Sequence, residues 1–411
     1  MQPTCDNSGL IPLETALETL LSQARAVIET ETVDLNNALG RVLAQDIHSQ
    51  IDVPSFNASA MDGYAISSAD IVGGITPLPI SQRIAAGQQP SASLAQGSVA
   101  RIFTGAPLPE GADTVIMQEG CRLADNLVTL PEQIEPGQFV RAKGSHVSYG
   151  AAILAKGTKL GAAEIGLAAS TGIDRVVVYR RLKVALLTTG DELIAPGETL
   201  KPGQIYNANQ YLLTNMLTAI NCEVTSIGPV IDDATAIKAA LEQAAQGCDV
   251  IISSGGVSVG EEDHVKAVVE DLGKLDLWRI RIKPGKPLAF GNVLGKPFIG
   301  LPGNPVSSFV TFCLFARPFI LKSQGLTQTT ARSYQVAADF EQSKPDNRRE
   351  YKRVSLITNQ EGQLMARPYR SQDSATLMST TNTDGLLCVP EGITFKRGEV
   401  LAFTPYSELL S

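Results

Sequence analysis

Three loops in this chain carry residue types that bind anions and hold cations. Ser253-Ser-Gly-Gly-Val-Ser-Val-Gly-Glu-Glu-Asp263 follows a short apolar run, Val250–Ile252, and ends in carboxylates. Glycines and serines after a buried strand present backbone N–H groups to an anion, and the acidic residues that follow can hold a metal ion. Gly300-Leu-Pro-Gly-Asn-Pro305 and Thr188-Thr-Gly-Asp-Glu192 have the same build. Each follows a predicted strand, so all three fall at carboxyl ends of strands, where open α/β sheets place their ligands. One glycine-rich loop is a weak signal; three on one edge are a strong one.

Asp191, Glu192, Asp232, Asp233 and Asp263 cluster near that edge. Asp232 and Asp263 precede predicted helices and could serve only as N-terminal caps, and capping alone is the better reading of Asp233. Glu192 fits capping less well, because Pro196 and Gly197 follow it. Hard oxygen ligands suit Mg²⁺, above all when substrate phosphates share the ion. Lys283-Pro-Gly-Lys-Pro287 sets two ammonium groups beside a tight turn, with Arg279 and Arg281 alternating just upstream. In an acidic protein such a cluster is a candidate oxyanion site. Arg348, Arg349, Lys352 and Arg353 form a second basic cluster. His264 reads as a solvated surface residue and Trp278 as packing.

The elements that position these residues follow from periodicity. The chain has 411 residues, 44% hydrophobic and 18% charged, which fits several globular domains. Apolar spacing predicts a helix over 13–28, a helix at 162–170, and then alternating elements. These are strands at 184–188, 224–227, 250–253 and 297–301, with helices at 207–220 (Asn207 as N-cap), 233–246, 263–272 and 305–322. Alternation of this kind implies right-handed crossovers and a parallel sheet with helices on both faces. The texture divides the chain into a discontinuous helical-β domain (1–29 and 141–180), a β-rich module (30–140), an α/β domain (181–326) and a small β barrel (327–411).

Composition excludes several classes. Net charge is −8, so nucleic acid is an unsuitable partner without a basic face. The six cysteines are scattered, with no CxxC pair, and read as reduced, mostly buried thiols of a cytoplasmic protein. Three histidines without metal spacing argue against structural zinc. No leader is visible and no apolar run reaches membrane length, so no membrane partner is expected.

Two more motifs stand in the β-rich module: Ser59-Ala-Met-Asp-Gly-Tyr-Ala65 and Thr104-Gly-Ala-Pro-Leu-Pro-Glu-Gly-Ala-Asp113. Each alone could be turn chemistry. Together with Thr189-Gly-Asp-Glu-Leu193, the Ser253 loop, Lys283-Pro-Gly-Lys-Pro287 and Gly300-Leu-Pro-Gly-Asn-Pro-Val-Ser307, in this order, they resemble the MoeA family, the molybdopterin molybdenumtransferases, which includes the E domain of gephyrin. The resemblance spans roughly residues 10–405.

That resemblance implies insertion of molybdenum from molybdate into adenylylated molybdopterin, with release of AMP and a requirement for Mg²⁺. It implies an elongated, four-domain homodimer whose cleft is shared between subunits, and a contact with a molybdopterin adenylyltransferase. By the matching motifs, Asp62, Thr104, Glu192, Asp232 and Asp263 are implied as catalytic, the last three also as metal ligands. Ser254, Gly255, Gly256, Ser258, Pro302, Gly303 and Pro305 are implied in substrate binding, and Lys283, Lys286, Arg349 and Ser374 in molybdate binding. The dithiolene sulfurs would be the incoming ligands, so no protein nucleophile is required. Three positions depart from the family pattern: Asn57-Ala58 stands for Asp-Asn, Gly144-Ser-His146 for Gly-Glu-Asp, and Asn207 for Asp. Nucleotidyl transfer to molybdopterin and a non-catalytic dimeric scaffold are the competing readings.

Overall fold

The computed structural model describes residues 10–73, 77–256 and 264–410. The chain folds into two compact units: Met1–Glu31 and Gly40–Val42 with Val178–Ser411, and Thr32–Leu39 with Leu43–Val177.

The first unit is built on a seven-stranded sheet. Its strands are β1 (Leu10–Ile11), β2 (Lys183–Thr189), β3 (Glu223–Val230), β4 (Val250–Ser254), β5 (Gly273–Ile280), β6 (Pro287–Val293) and β7 (Lys296–Leu301), in the order β1-β5-β6-β7-β4-β2-β3. β2 is apolar from Val184 to Leu187, and its neighbour β4 is buried at every residue, as expected of central strands covered on both faces. Alternation then sorts the side chains. Val184, Leu186, Ile252 and Ile299 enter one core with α1 (Leu13–Gln23), α2 (Ala208–Ala219) and the 305–323 helix. Ala185, Leu187, Ile251 and Phe298 enter another with α3 (Ala234–Gly247) and α4 (His264–Leu272).

The four strands that the alternating pattern predicts, β2, β3, β4 and β7, are mutually parallel, and the sheet is mixed through β6, which that pattern does not place. β6 runs antiparallel to both β5 and β7. A two-residue turn at Leu294 (φ 49°) and Gly295 (φ 84°) joins β6 directly to β7, and Asn292 Oδ1 accepts the Gly295 N–H at 2.9 Å. Two positive φ values in a two-residue loop make a hairpin, so no crossover helix is needed.

The first helix ends at Gln23 rather than 28, and Ile28 is exposed. The helix predicted over 305–322 is interrupted: α5 (Pro305–Thr311), a π turn (Phe312–Ala316) and α6 (Arg317–Ser323). Pro318 follows the wide turn; it has no N–H to donate and its ring crowds the carbonyl four residues back. By length and hydropathy 305–323 could cross a bilayer, but 89% of that window is buried, as in a core helix. Trp278 packs on Phe290 at 5.8 Å. Among the described residues five cysteines are free, three of them buried.

The C-terminal part is a closed five-stranded barrel. β8 (Tyr334–Ala338), β9 (Arg349–Thr358), β10 (Leu364–Pro368), β11 (Gly385–Val389) and β12 (Val400–Pro405) pair as β9-β10-β8-β12-β11, and β9 pairs with β11 to close it. Val336, Val354, Ala366, Leu387 and Phe403 fill its interior.

The second unit holds a six-stranded sheet in the order Thr114–Met117, Gly63–Ile66, Val99–Ile102, Leu78–Ile84, Leu127–Thr129 and Arg122–Ala124. Its helix spans Ala162–Ser170.

Candidate functional site

Sheet direction fixes where the loops lie. β2, β4 and β7 are parallel, so Thr188–Glu192, Ser253–Gly256 and Gly300–Pro305 all leave the same edge. β5 is antiparallel to β6, and β6 to β7, so β5 ends on that edge as well and delivers the Lys283–Pro287 loop to it.

Between the first three loops lies a cavity of about 390 Å³, lined by Thr189, Glu192, Asn209, Ser254, Gly255, Gly303 and Pro305 among others. Its walls are tied together by hydrogen bonds. Asn209 Nδ2 donates to Ser254 Oγ at 2.8 Å and to Gly303 O at 2.7 Å. Ser254 Oγ donates to Pro302 O at 3.5 Å, and Gly255 N to Leu301 O at 3.2 Å. A side chain would not fit at Gly256: its φ is +64° and a Cβ would stand 2.3 Å from Val265 Cγ2. A Cβ at Gly303 would lie 3.8 Å from Gly255 Cα, so the two loops approach closely at the pocket wall.

The helix starts at this edge are capped by other residues than the loops' acids. Asn207 Oδ1 accepts from Gln210 N at 3.3 Å, while its Nδ2 donates to Thr188 Oγ1 at 2.9 Å. Asp233 caps α3, accepting from Thr235 N at 3.0 Å and Ala236 N at 2.9 Å. Asp232 is not the cap. Its N–H donates to Asp191 Oδ1 at 3.0 Å, which joins the segments carrying Glu192 and Asp232. Among the described residues, Asp191, Glu192 and Asp232 form no ion pair, and no three His, Cys, Asp or Glu side chains are grouped as a metal site. Asp263 and Ser258 lie outside the described residues.

The cations are placed differently. Lys283 Nζ lies 3.3 Å from Glu350 Oε1 and 3.6 Å from Asp346 Oδ2. Lys286 is half-buried in the same loop. Strand Ile282–Lys283 pairs in parallel with the start of β9, Ile282 opposite Arg349, so the lysine loop and Arg349 are neighbours. Arg349 is committed to carboxylates: Nε donates to Glu391 Oε2 at 2.9 Å and Nη1 to Glu14. Burial works against its charge, but these bonds outweigh burial and hold the guanidinium above its ordinary range.

Ser374 reaches the site through its backbone, its carbonyl accepting the Val306 N–H at 2.9 Å beside Pro305. The loop carrying it is pinned from the outer face of the barrel, the side of β9 opposite Val354. Arg353, fully buried, donates through Nη2 to Asp373 O at 3.1 Å and through Nε to Ser379 Oγ at 3.2 Å.

Asp62 and Thr104 pair within the second unit. Thr104 N and Oγ1 donate to Asp62 Oδ1 at 2.7 and 2.8 Å. These bonds, the backbone one foremost, hold the Asp62 carboxyl below its usual value, and Arg101 adds to the effect. Asn209 is the functional candidate that sequence reasoning did not single out. Its only signal was a second polar residue one step inside the helix capped by Asn207.

A glycine-bearing pocket at the carboxyl edge of an α/β sheet, with Glu192 in its wall and a lysine loop on the same edge, suits a phosphorylated or oxyanionic ligand. Comparison with known proteins narrows the class. Residues 11–172 match the MoeA N-terminal region (domains I and II), 185–322 a probable molybdopterin binding domain, and 335–406 the MoeA C-terminal region (domain IV). The chain is 37% identical over 404 residues to a molybdopterin molybdenumtransferase of Haemophilus influenzae, covering 98% of this chain and 100% of the relative. It is 38% identical to one of Nostoc over 376 residues, 89% of this chain and 86% of the relative. A crystal structure of a molybdopterin biosynthesis MoeA protein from Pyrococcus horikoshii superposes with a TM-score of 0.83 at 30% identity, over 97% of this chain and 100% of that one. The chain belongs to the MoeA family.

Proposed function

We propose that this protein is a molybdopterin molybdenumtransferase of molybdenum cofactor biosynthesis, which inserts molybdenum from molybdate into adenylylated molybdopterin and releases AMP. The observation that carries the reading is the carboxyl edge of the sheet, where Glu192 lines a glycine-bearing cavity and, like Asp191 and Asp232 on the same edge, has no cationic partner. Carboxylates left free at a ligand site suit a hard divalent cation, so Glu192 and Asp232, joined by Asp263, would hold Mg²⁺. When bound, that ion neutralises phosphate charge and eases departure of AMP.

The chain's own residues do the rest. Ser254 and the backbone around Gly255, Gly256 and Gly303 orient the phosphorylated pterin, and Asn209 keeps the two loops in register. Lys283 and Lys286 attract the oxyanion. Arg349 joins them only on leaving Glu14 or Glu391, so oxyanion binding competes with those carboxylates. The reading includes a cytoplasmic homodimer in which Asp62 and Thr104 complete the cleft, and a contact with a molybdopterin adenylyltransferase. Nucleotidyl transfer alone would need neither flanking module.

The test is incubation of the full chain with adenylylated molybdopterin, Mg²⁺ and molybdate, quantifying AMP and molybdenum-bound pterin. Molybdate-dependent appearance of both, lost in Asp263→Ala without change of oligomeric state, is the expected result. Equal product formation by Asp263→Ala and wild type would overturn the metal-assisted reading, and no product from wild type would favour the scaffold.

A further inference from the structure

In the second unit, Leu78–Ile84 and Val99–Ile102 run parallel with Arg83 opposite Arg101. Both guanidiniums lie over one ring, that of Phe103, at 4.5 and 4.7 Å from its centroid. Arg101 also lies 5.1 Å from the Tyr64 ring centroid. It is held in place: Nη1 donates to Gly63 O at 3.1 Å and Nη2 to Gln118 Oε1. Arg83 is exposed, and the face of Phe103 is its one assigned contact among the described residues. Neither arginine has a carboxylate within ion-pair distance there. The acid that feels Arg101 is Asp62, and its Oδ1 is engaged by Thr104.

Like charges directly opposite one another in a sheet are destabilising. Stacking on the aromatic faces offsets part of that repulsion. What the pair lacks is an anion. Two planar forks, one fixed and one free to turn, match the oxygens of a phosphoryl group, which takes two parallel N–H bonds from each guanidinium. We propose that Arg83 and Arg101 form a binding site for the phosphoryl groups of a phosphorylated ligand, with Phe103 as the platform that aligns them. The site adjoins Thr104 in sequence and Asp62 through it. Only the ligand's identity rests on the proposed function, under which it is the phosphate-bearing end of the pterin substrate.

The probe is inorganic pyrophosphate, so the result stands whether or not the chain transfers molybdenum. Calorimetric titration of the full chain at low salt would compare wild type with Arg83→Gln, and with Arg122→Gln as a control for an exposed arginine of the same sheet. The expected result is a binding event that weakens at least tenfold in Arg83→Gln and persists in Arg122→Gln. A second measurement needs no variant: pyrophosphate should shield Arg83 of the wild-type chain from phenylglyoxal, read by peptide mass mapping. Superimposable isotherms for wild type and Arg83→Gln, or equal labelling of Arg83 with and without pyrophosphate, would overturn the proposal. Loss of binding in Arg83→Gln in a protein that shows no molybdenum transfer would uphold this site while removing the proposed function.

Discussion

The two edges of the α/β sheet carry similar residues and use them in opposite ways. At the amino edge a cavity of about 510 Å³ is lined by Glu29, Arg180 and Asp249 among others. There the charges are consumed by one another. Arg180 Nη1 and Nη2 bind the two oxygens of Asp249 at 2.7 and 2.9 Å, its Nε binds Glu29, and Lys183 N adds a bond to Asp249 at 2.8 Å. At the carboxyl edge Asp191, Glu192 and Asp232 have no such cation. A carboxylate with a bidentate arginine is spent on holding the fold; one left without a partner beside a cavity is available to a ligand. Volume does not single out the ligand site, since the amino-edge cavity is larger than the one between the three loops.

The contrast can be broken by substitution. Glu192→Gln should lower product formation by about 1,000-fold, the scale of losing one electrostatic contact to a reacting group, while the melting temperature stays within about 1 °C. A parallel fall in melting temperature would mean that this edge is structural too. Arg180→Ala should do the reverse: unfolding in urea shifts by about 3 kcal/mol, because Asp249 is left half-buried without its partner, and turnover of the folded fraction is retained. Asn209→Ala cuts both ties between the Ser254 and Gly303 loops, and about tenfold loss in kcat/KM is expected from misplacement alone. The smallest effect is the pH response of the amino edge. Burial alone would raise the Asp249 carboxyl, but the bonds from Arg180 and Lys183 N hold it below its usual 3.8. Its stabilisation is therefore complete above about pH 4 and lost as pH falls through the lowered value. Acid unfolding of Asp249→Asn, followed by circular dichroism, should show a shallower loss of stability below pH 4 than wild type.

Much of this was legible in the sequence where local signals and burial agree. The 162–170 helix and those capped by Asn207 and Asp233 lie where apolar spacing puts them, within a residue or two. The carboxyl-edge position of the three loops followed from counting alternating elements. The antiparallel hairpin β6–β7 was not legible, because its turn places Leu294, not Asn or Gly, at the first positive φ. Nor was the commitment of Arg349: Glu14 lies more than 300 positions away in the chain, and no local pattern reports such a partner. Ser374 reaches α5 through a carbonyl, which any residue type supplies.

Arg353 bears on how this protein can be cut and recombined. A cation buried on the outer face of the barrel, opposite Leu386, holds the 373–379 segment, and that segment's carbonyl closes the first turn of α5 in the neighbouring domain. A chain truncated after Ser323 would keep the strands of its sheet and lose the carbonyl that holds the start of α5, where Pro305 lines the pocket. A chimaera that imported a foreign barrel would need an arginine at the same depth and a loop of the same length. The module that looks most like an appendage is in this respect the mould for the pocket's rim.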